Sequence, residues 1–447
     1  MLNFTLPILF VFNLLLLSFN SFASASNQQI LPLQQRAEVI DGILATRVEK
    51  LMPEMMRNAN IDMWILISRE YNEDPILKTF LPATWMGARR RTILVFTYVK
   101  QPSPEQDYVK ADAISTYDIG SVFNKAWDKN KHPQQWQALI ELIKVNNPQT
   151  IAVNQSQDFP LADGLVATDK DLFFENLPTK YKQRIVSSEP LAVSWIETRS
   201  EEEIAYYQQL AALTKDIISE AFSARVIVPN KTTVNELVWW FRTKVSELGL
   251  STWFQPAIRV QRNSTDFGIS EDPKTVILAG DLIHVDFGIN YLGLNTDIQQ
   301  HGYVLKHGET QAPKFLQMAL QQGNQLQDIL MANFTAGQTG NEILLKTRQQ
   351  AQDAGLKPMV YSHPIGYFGH SAGTTIGQWD SQNGVAGSGD YPLHNDTAYA
   401  IELNVSVYSK EWQKDIMIML EENALFSKNK VKFLTPRQTQ LLLIKAM

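Results

Sequence analysis

Four carboxylates and two imidazoles between residues 286 and 421 have types and spacing that could do chemistry. In Gly280-Asp-Leu-Ile-His-Val-Asp-Phe-Gly-Ile-Asn-Tyr-Leu-Gly-Leu-Asn-Thr-Asp297, two apolar runs about a central turn predict a hairpin. Centring the turn on Tyr291–Leu292 sets Asp286 opposite Asp297 on one face. Two such charges ~4 Å apart at an effective dielectric of ~20 repel by about 4 kcal/mol, a cost that a cation between them removes. Alone, the pair is equally consistent with aspartates that cap turns. Ser362-His363-Pro-Ile-Gly366-Tyr-Phe-Gly369-His370 offers two imidazoles where glycines let backbone approach closely and side chains protrude. Singly, such histidines also serve as packed core or surface residues. Glu402 and Glu421 lie in apolar runs that read as strands, where a buried Glu is costly unless paired. Either one alone fits an outward-facing position as well. Taken together, four negative charges balance two divalent cations and leave one neutral histidine as a ligand. An oxygen-rich set with one nitrogen favours Mn²⁺, Zn²⁺, Co²⁺ or Fe²⁺ over softer ions.

The elements that must position these groups alternate in period. A helical spacing from Gln35 to about Asn58 precedes strands at Ile61–Ile67 and Arg91–Tyr98, a helix at Trp136–Val145 and a strand at Thr150–Val153, an α/β layer that continues to about Ser188. Its basic run, Arg89 to Arg91, reads as a solvated or salt-bridged edge, with a substrate or subunit contact as the alternative. The domain boundary falls near Pro190–Arg199. Ser200 and Glu203 form a capping box for a helix running to about Ala224. Thr232 or Thr233 caps a second helix ending at Gly249, and helices follow at Lys314–Ala332 and Gly340–Ala354. Strands at Val276–Asn290, Asn295–Val304, Tyr399–Tyr408 and Asp415–Phe426 make the C-terminal half α+β.

With 447 residues, the chain is long enough for two or three domains. Forty Lys and Arg against 46 Asp and Glu leave a net charge of −6 without a basic block, which argues against nucleic-acid binding. The absence of cysteine excludes disulfides, thiolate catalysis and Cys-ligated metals, so any metal must sit on His, Asp and Glu. Leu6 to Leu17 is almost wholly apolar and Ala23-Ser24-Ala25 fits a small-x-small cleavage site, so residues 1–25 read as a signal peptide, with an uncleaved anchor as the alternative because no Lys or Arg stands near Met1. The expected product is secreted or periplasmic, with no stable membrane span after cleavage.

The order Asp286, Asp297, His363 in Ser-His-Pro-Ile-Gly, His370, Glu402, Glu421 resembles that of the pita-bread metal-dependent hydrolases, which include methionine aminopeptidase, Xaa-Pro aminopeptidase, prolidase and the metal-free relative creatinase. The resemblance spans about Ile196 to the C-terminus. It implies an α+β fold: a C-terminal pita-bread domain, residues 196–447, preceded by an α/β creatinase-type N-terminal domain, residues 35–190. It also implies two divalent ions, with Mn²⁺ favoured. Asp286 would hold one, His363 and Glu402 the other, and Asp297 and Glu421 would bridge both around a hydroxide. Glu402 is then the general acid/base, His370 contacts the substrate, and Glu422 on the opposite strand face is structural. The implied substrate is a peptide or dipeptide, the implied activity that of a Xaa-Pro aminopeptidase or prolidase, and the implied assembly a homodimer. Two substrate histidines usual in proline-specific relatives have no counterpart, their places falling near Gly268–Ile269 and on Met359, while Gln299-Gln300 replaces the usual Thr-Arg. A metal-binding but inactive protein and a metal-free creatinase-like C–N hydrolase are the alternatives. His284 and His301 fall on the metal face one layer removed, in supporting or packing roles. Tyr367 and Phe368 either wall the pocket or pack the core, Trp379 is a candidate pocket wall, and Trp239-Trp240 are expected to pack between domains.

Overall fold

Runs of β-branched and aromatic residues build the first layer of the computed structural model, which describes residues 30–445. The segment read as a signal lies outside them. Strands β1 (Met63–Arg69), β2 (Arg91–Val99), β3 (Tyr108–Ala113), β4 (Asn124–Lys125), β5 (Ile151–Val153) and β6 (Ile185–Ser187) form a mixed sheet of order β4-β3-β2-β1-β5-β6. Alternation splits their side chains between two cores. Trp64, Leu66, Leu94 and Phe96 pack with the helices Leu33–Lys50, Met52–Asn58 and Glu189–Glu197. Met63, Ile65, Ile67 and Val95 pack with Gln135–Asn146 and Ala167–Asn176 on the other face. The single helix expected over 35–58 is interrupted at Leu51, because Pro53 opens the second helix and has no backbone N–H to continue the first. Of the basic run, Arg91 shares the buried Asp169 with its cross-strand partner Arg69, at 3.1 and 2.8 Å, while Arg89 lies over Trp85.

Arg47 ties this layer to the C-terminal half. Fully buried, it pairs with Glu203 at 2.5 Å, while Arg199 holds the other oxygen of Glu203 at 3.0 Å. Glu203 also completes the capping box with Ser200 that starts the helix Glu201–Ala221. The same device, Thr233 with Glu236 and Thr339 with Glu342, starts Val234–Glu247 and Gly340–Asp353. Among the described residues, no helix is long and apolar enough to cross a membrane.

The C-terminal strands are β7 (Ala257–Gln261), β8 (Leu282–Phe287), β9 (Asn290–Tyr291), β10 (Leu294–Asn295), β11 (Ile298–Val304), β12 (Pro358–Val360), β13 (His363–Pro364), β14 (Thr397–Ala400), β15 (Leu403–Ser409), β16 (Lys414–Leu420), β17 (Asn423–Ser427), β18 (Lys430–Phe433) and β19 (Leu442–Ile444). They form sheets of order β19-β11-β8-β7, β12-β15-β16 and β13-β14-β17-β18, with β10-β9 a separate two-stranded pair. Each long strand expected over 399–408 and 415–426 is therefore two strands that change sheets. The changes fall at Ile401–Glu402 and Glu421–Glu422, facing positions of one continuous register, since Leu403 pairs Leu420 and Ala400 pairs Asn423.

The hairpin differs from expectation by one step at its tip. Leu292 and Gly293, with φ of 53° and 78°, form the turn, so Tyr291 pairs Leu294 and Asp286 pairs Gln299 rather than Asp297. A two-residue turn whose central positions both need positive φ places Gly at the second of them, which Tyr291–Leu292 could not do. The correction shifts Asp297 by two residues, so it remains on the face of Asp286 but diagonal to it. Gly293→Ala adds a Cβ that meets nothing within 4 Å, so only backbone strain opposes it. A loss of about 1–2 kcal/mol is expected in chemical denaturation.

Candidate metal centre

Every candidate ligand sits where a strand ends or breaks. Asp286 is next to last in β8, Asp297 immediately precedes β11, His363 opens β13 opposite Ala400, and Glu402 and Glu421 occupy the two sheet changes. A backbone bridge between Gln299 and Glu421 joins the hairpin sheet to this junction. Three clusters result in which the candidate donor atoms lie within 4.8 Å of one another: Asp286, Asp297 and Glu421; His363, Glu402 and Glu421; Asp297, His363 and His370. The structure thus brings together all six residues picked from sequence.

The donor atoms fit a cation. His363 Nε2 lies 3.6 Å from Glu421 Oε1 and 3.9 Å from Glu402 Oε2. Asp286 Oδ1, Asp297 Oδ1, His363 Nε2 and Glu421 Oε1 are buried without a hydrogen-bond partner, a state that costs free energy unless something positive joins them. Burial pushes Asp286 up to about 6, and burial together with neighbouring carboxylates holds Asp297, Glu402 and Glu421 well above the ordinary range. His363 is held neutral by burial. Its Nδ1 lies 3.0 Å from the carbonyl of Pro364, which only accepts, so the proton is on Nδ1 and the Nε2 lone pair faces the acids.

A cavity of about 390 Å³ opens on this cluster, lined by Tyr361, His363, His370, Gln378, Trp379 and Glu402 among others. The ring of His370 meets His363 edge-on at 4.7 Å and Trp253 at 5.1 Å. The close seat on Trp253 requires glycine at 369, where a Cβ would stand 2.3 Å from the indole. Partial desolvation against the cavity wall, with His363 beside it, lowers the otherwise exposed His370 to about 4, so at neutral pH it is an uncharged donor or acceptor. Trp379, 72% exposed, lines the cavity.

Other side chains fall elsewhere. Tyr367 packs against Arg47 and Arg199 in the N-terminal core, and Phe368 joins it there. Trp239 does not pack between domains but is 55% exposed, because the buried stripe of its helix is Val234, Leu237, Phe241 and Val245. Glu422 is paired with Lys215 and accepts from Gln438 N at 2.8 Å. Met359, at the place of one missing histidine, accepts only a weak bond from Asn404.

Sequence reasoning passed over Arg259 and Tyr361 and assigned no contact with the ligands to Gln299. Gln299 donates to Glu402 and Glu421. His284, buried against His301, contacts Gln299 at 2.9 Å. Arg259 on β7, the register partner of His284, is a positive charge that favours the ionised forms of Asp286 and Glu402. Tyr361 accepts from Asn404 at 3.1 Å and keeps its own proton free beside the cavity. The two-residue strand period, which puts Gln299 on the face of Asp297 and Tyr361 on that of His363, was the available signal.

A mixed α/β domain whose sheets meet around buried acids and an imidazole, behind an α/β N-terminal layer, defines the pita-bread class. The chain belongs to metallopeptidase family M24, whose sequence profile matches residues 205–428; members of that family bind divalent metals. No curated protein matches the sequence. Among solved structures, it is similar to the X-Pro aminopeptidase from Thermotoga maritima, with 15% identity, a TM-score of 0.60, and 87% of this chain and 99% of that one covered. It is similar to the Xaa-Pro dipeptidase from Bacillus anthracis, with 15% identity, a TM-score of 0.57, and coverage of 92% and 100%. It is also similar to the prolidase from Pyrococcus horikoshii, with 13% identity, a TM-score of 0.54, and coverage of 90% and 99%. At these identities the likeness concerns the fold.

Proposed function

We propose that this chain is an exported peptidase that holds two divalent cations on Asp286, Asp297, His363, Glu402 and Glu421 and hydrolyses a peptide bond near the N-terminus of a peptide or within a dipeptide, with Xaa-Pro bonds the first candidates. The observation that carries this reading is the set of buried donor atoms without partners that face one another under a cavity of substrate size. Divalent cations supply Lewis acidity there, polarising a carbonyl and acidifying a water. Glu402, 16% exposed with Oε2 free, is placed to take a proton from the attacking water and pass it to the leaving amine. A neutral His370 donates to the carbonyl oxygen as charge develops on it. Tyr361 offers a second donor on the same wall, partly replacing the imidazole that Met359 lacks. Export through residues 1–25 and pairing of two chains through the N-terminal domain complete the proposal; cell fractionation and solution mass measurements test them.

Metal analysis of the purified protein, with hydrolysis of Xaa-Pro and generic aminopeptidase substrates measured before and after chelation, is the direct test. Metal content and chelator-sensitive turnover are expected. His370→Ala is expected to lower turnover by about 10²–10³-fold, a loss typical of one oxyanion donor, with metal retained. Bound metal without turnover across Mn²⁺, Co²⁺ and Zn²⁺ would point to a binding protein. Chelator-insensitive turnover would point to creatinase-like chemistry.

A further inference from the structure

The pair Gln299-Gln300, a departure from the family pattern in the sequence, has a definite place in the structure. Gln299 is 2% exposed, and its backbone is bridged to that of Glu421, with N to O distances of 3.1 and 3.4 Å. That bridge carries its side chain between two glutamates. Its Nε2 donates to Glu402 Oε1 at 2.5 Å and to Glu421 Oε2 at 3.0 Å, which uses both amide hydrogens. Ionised carboxylates only accept, so the amide is oriented with Nε2 towards them and Oε1 away. Oε1 lies 2.9 Å from His284 Nε2, so His284 carries its proton on Nε2, and its Nδ1 is left without a partner.

The glutamate oxygens that Gln299 does not take are Glu402 Oε2 and Glu421 Oε1, the two that lie 3.9 and 3.6 Å from His363 Nε2. One oxygen of each carboxylate is thus tied back, and the other is aimed at the imidazole. We propose that Gln299, itself held by His284, is a positioning residue that sets divalent-cation affinity at the position framed by His363, Glu402 and Glu421. This rests on the reading of the cluster as a cation site. A threonine hydroxyl has one hydrogen and can tie back only one carboxylate, so the two-point hold is a property of the glutamine. The position framed by Asp286, Asp297 and Glu421 is held by the amide at one carboxylate only, Glu421, whereas the position framed by His363, Glu402 and Glu421 is held at two.

Calorimetric titration of the chelator-stripped protein with Mn²⁺ tests the assignment. Gln299→Met keeps the length of the side chain without its donors and is expected to weaken one binding step by about 10–100-fold, the usual cost of losing an outer-sphere partner. The other step, which shares only Glu421 with the amide, should weaken by a clearly smaller factor. His284→Phe should move the same step in the same direction by a smaller factor, because the amide loses its anchor. Thermal unfolding of each stripped variant establishes that it is folded, and if Gln299→Met does not fold, His284→Phe decides. Equal weakening of both steps, or isotherms like those of the unaltered protein, would overturn the role of Gln299. Absence of Mn²⁺ binding by the unaltered protein would instead overturn the cation site, and this inference with it.

Discussion

Asp297→Ala is expected to strip the protein of metal and to reduce turnover by about a thousandfold or more, yet to leave the stripped protein more stable than its parent at pH 8. The first two effects follow from position: Asp297 belongs to the cluster with Asp286 and Glu421 and to that with His363 and His370. Losing several kcal/mol of transition-state stabilisation, at about 1.4 kcal/mol per factor of ten, gives the stated loss. The third effect has the opposite sign from an ordinary core truncation. Burial, then Glu421, Asp286 and Glu402, hold the Asp297 carboxyl well above its ordinary range, so in the absence of a cation its ionised form opposes folding. That penalty is absent below the unfolded value near pH 4 and grows as pH rises through the folded value. The gain from alanine should therefore appear in denaturation curves at pH 8 and vanish near pH 4. A variant that keeps both its metal and its turnover would remove Asp297 from the site.

The complementary expectation concerns the cation. Mn²⁺ at a thousandfold excess over its dissociation constant stabilises the folded state by about 4 kcal/mol. Protons compete for the same oxygens, with Asp286 at about 6 and Asp297, Glu402 and Glu421 pushed up further. For each of these acids the folded value is raised. The stripped protein therefore loses stability as pH climbs from about 4 through 6 and beyond, and the added ion restores it. Differential scanning calorimetry should show a rise in Tm of several degrees on Mn²⁺ addition at pH 8 and a much smaller rise at pH 5. An equal or larger rise at pH 5 would mean that the ion binds somewhere other than these four acids.

The six candidate residues that the structure gathers were legible in two ways: buried carboxylates in apolar strands are expensive and imply a compensating partner, and the order of the acids with the two histidines resembles that of a known family. The strands that carry them were legible as apolar runs, but not their breaks: nothing in Ala400-Ile-Glu-Leu or Leu420-Glu-Glu-Asn marks a change of sheet, since both halves remain extended. The hairpin tip was misplaced by one residue because Leu292 adopts positive φ, a cost that local propensity opposes and that Gly293 beside it makes tolerable. Gln299 was noticed only as a departure from the family pattern. Its role depends on a bridge to Glu421, 122 residues away, which no local pattern reveals.

The spread of the donors along the chain bears on where the protein acquires its ion. Asp286 and Asp297 share a hairpin, but Glu421 joins them from the end of the strand that pairs Leu420 with Leu403. Each of the three clusters among the described residues therefore draws on donors from at least two distant stretches of the chain or from both arms of the hairpin. On the proposed export route, loading would follow the folding of the whole C-terminal half, and the compartment in which folding finishes would choose the cation.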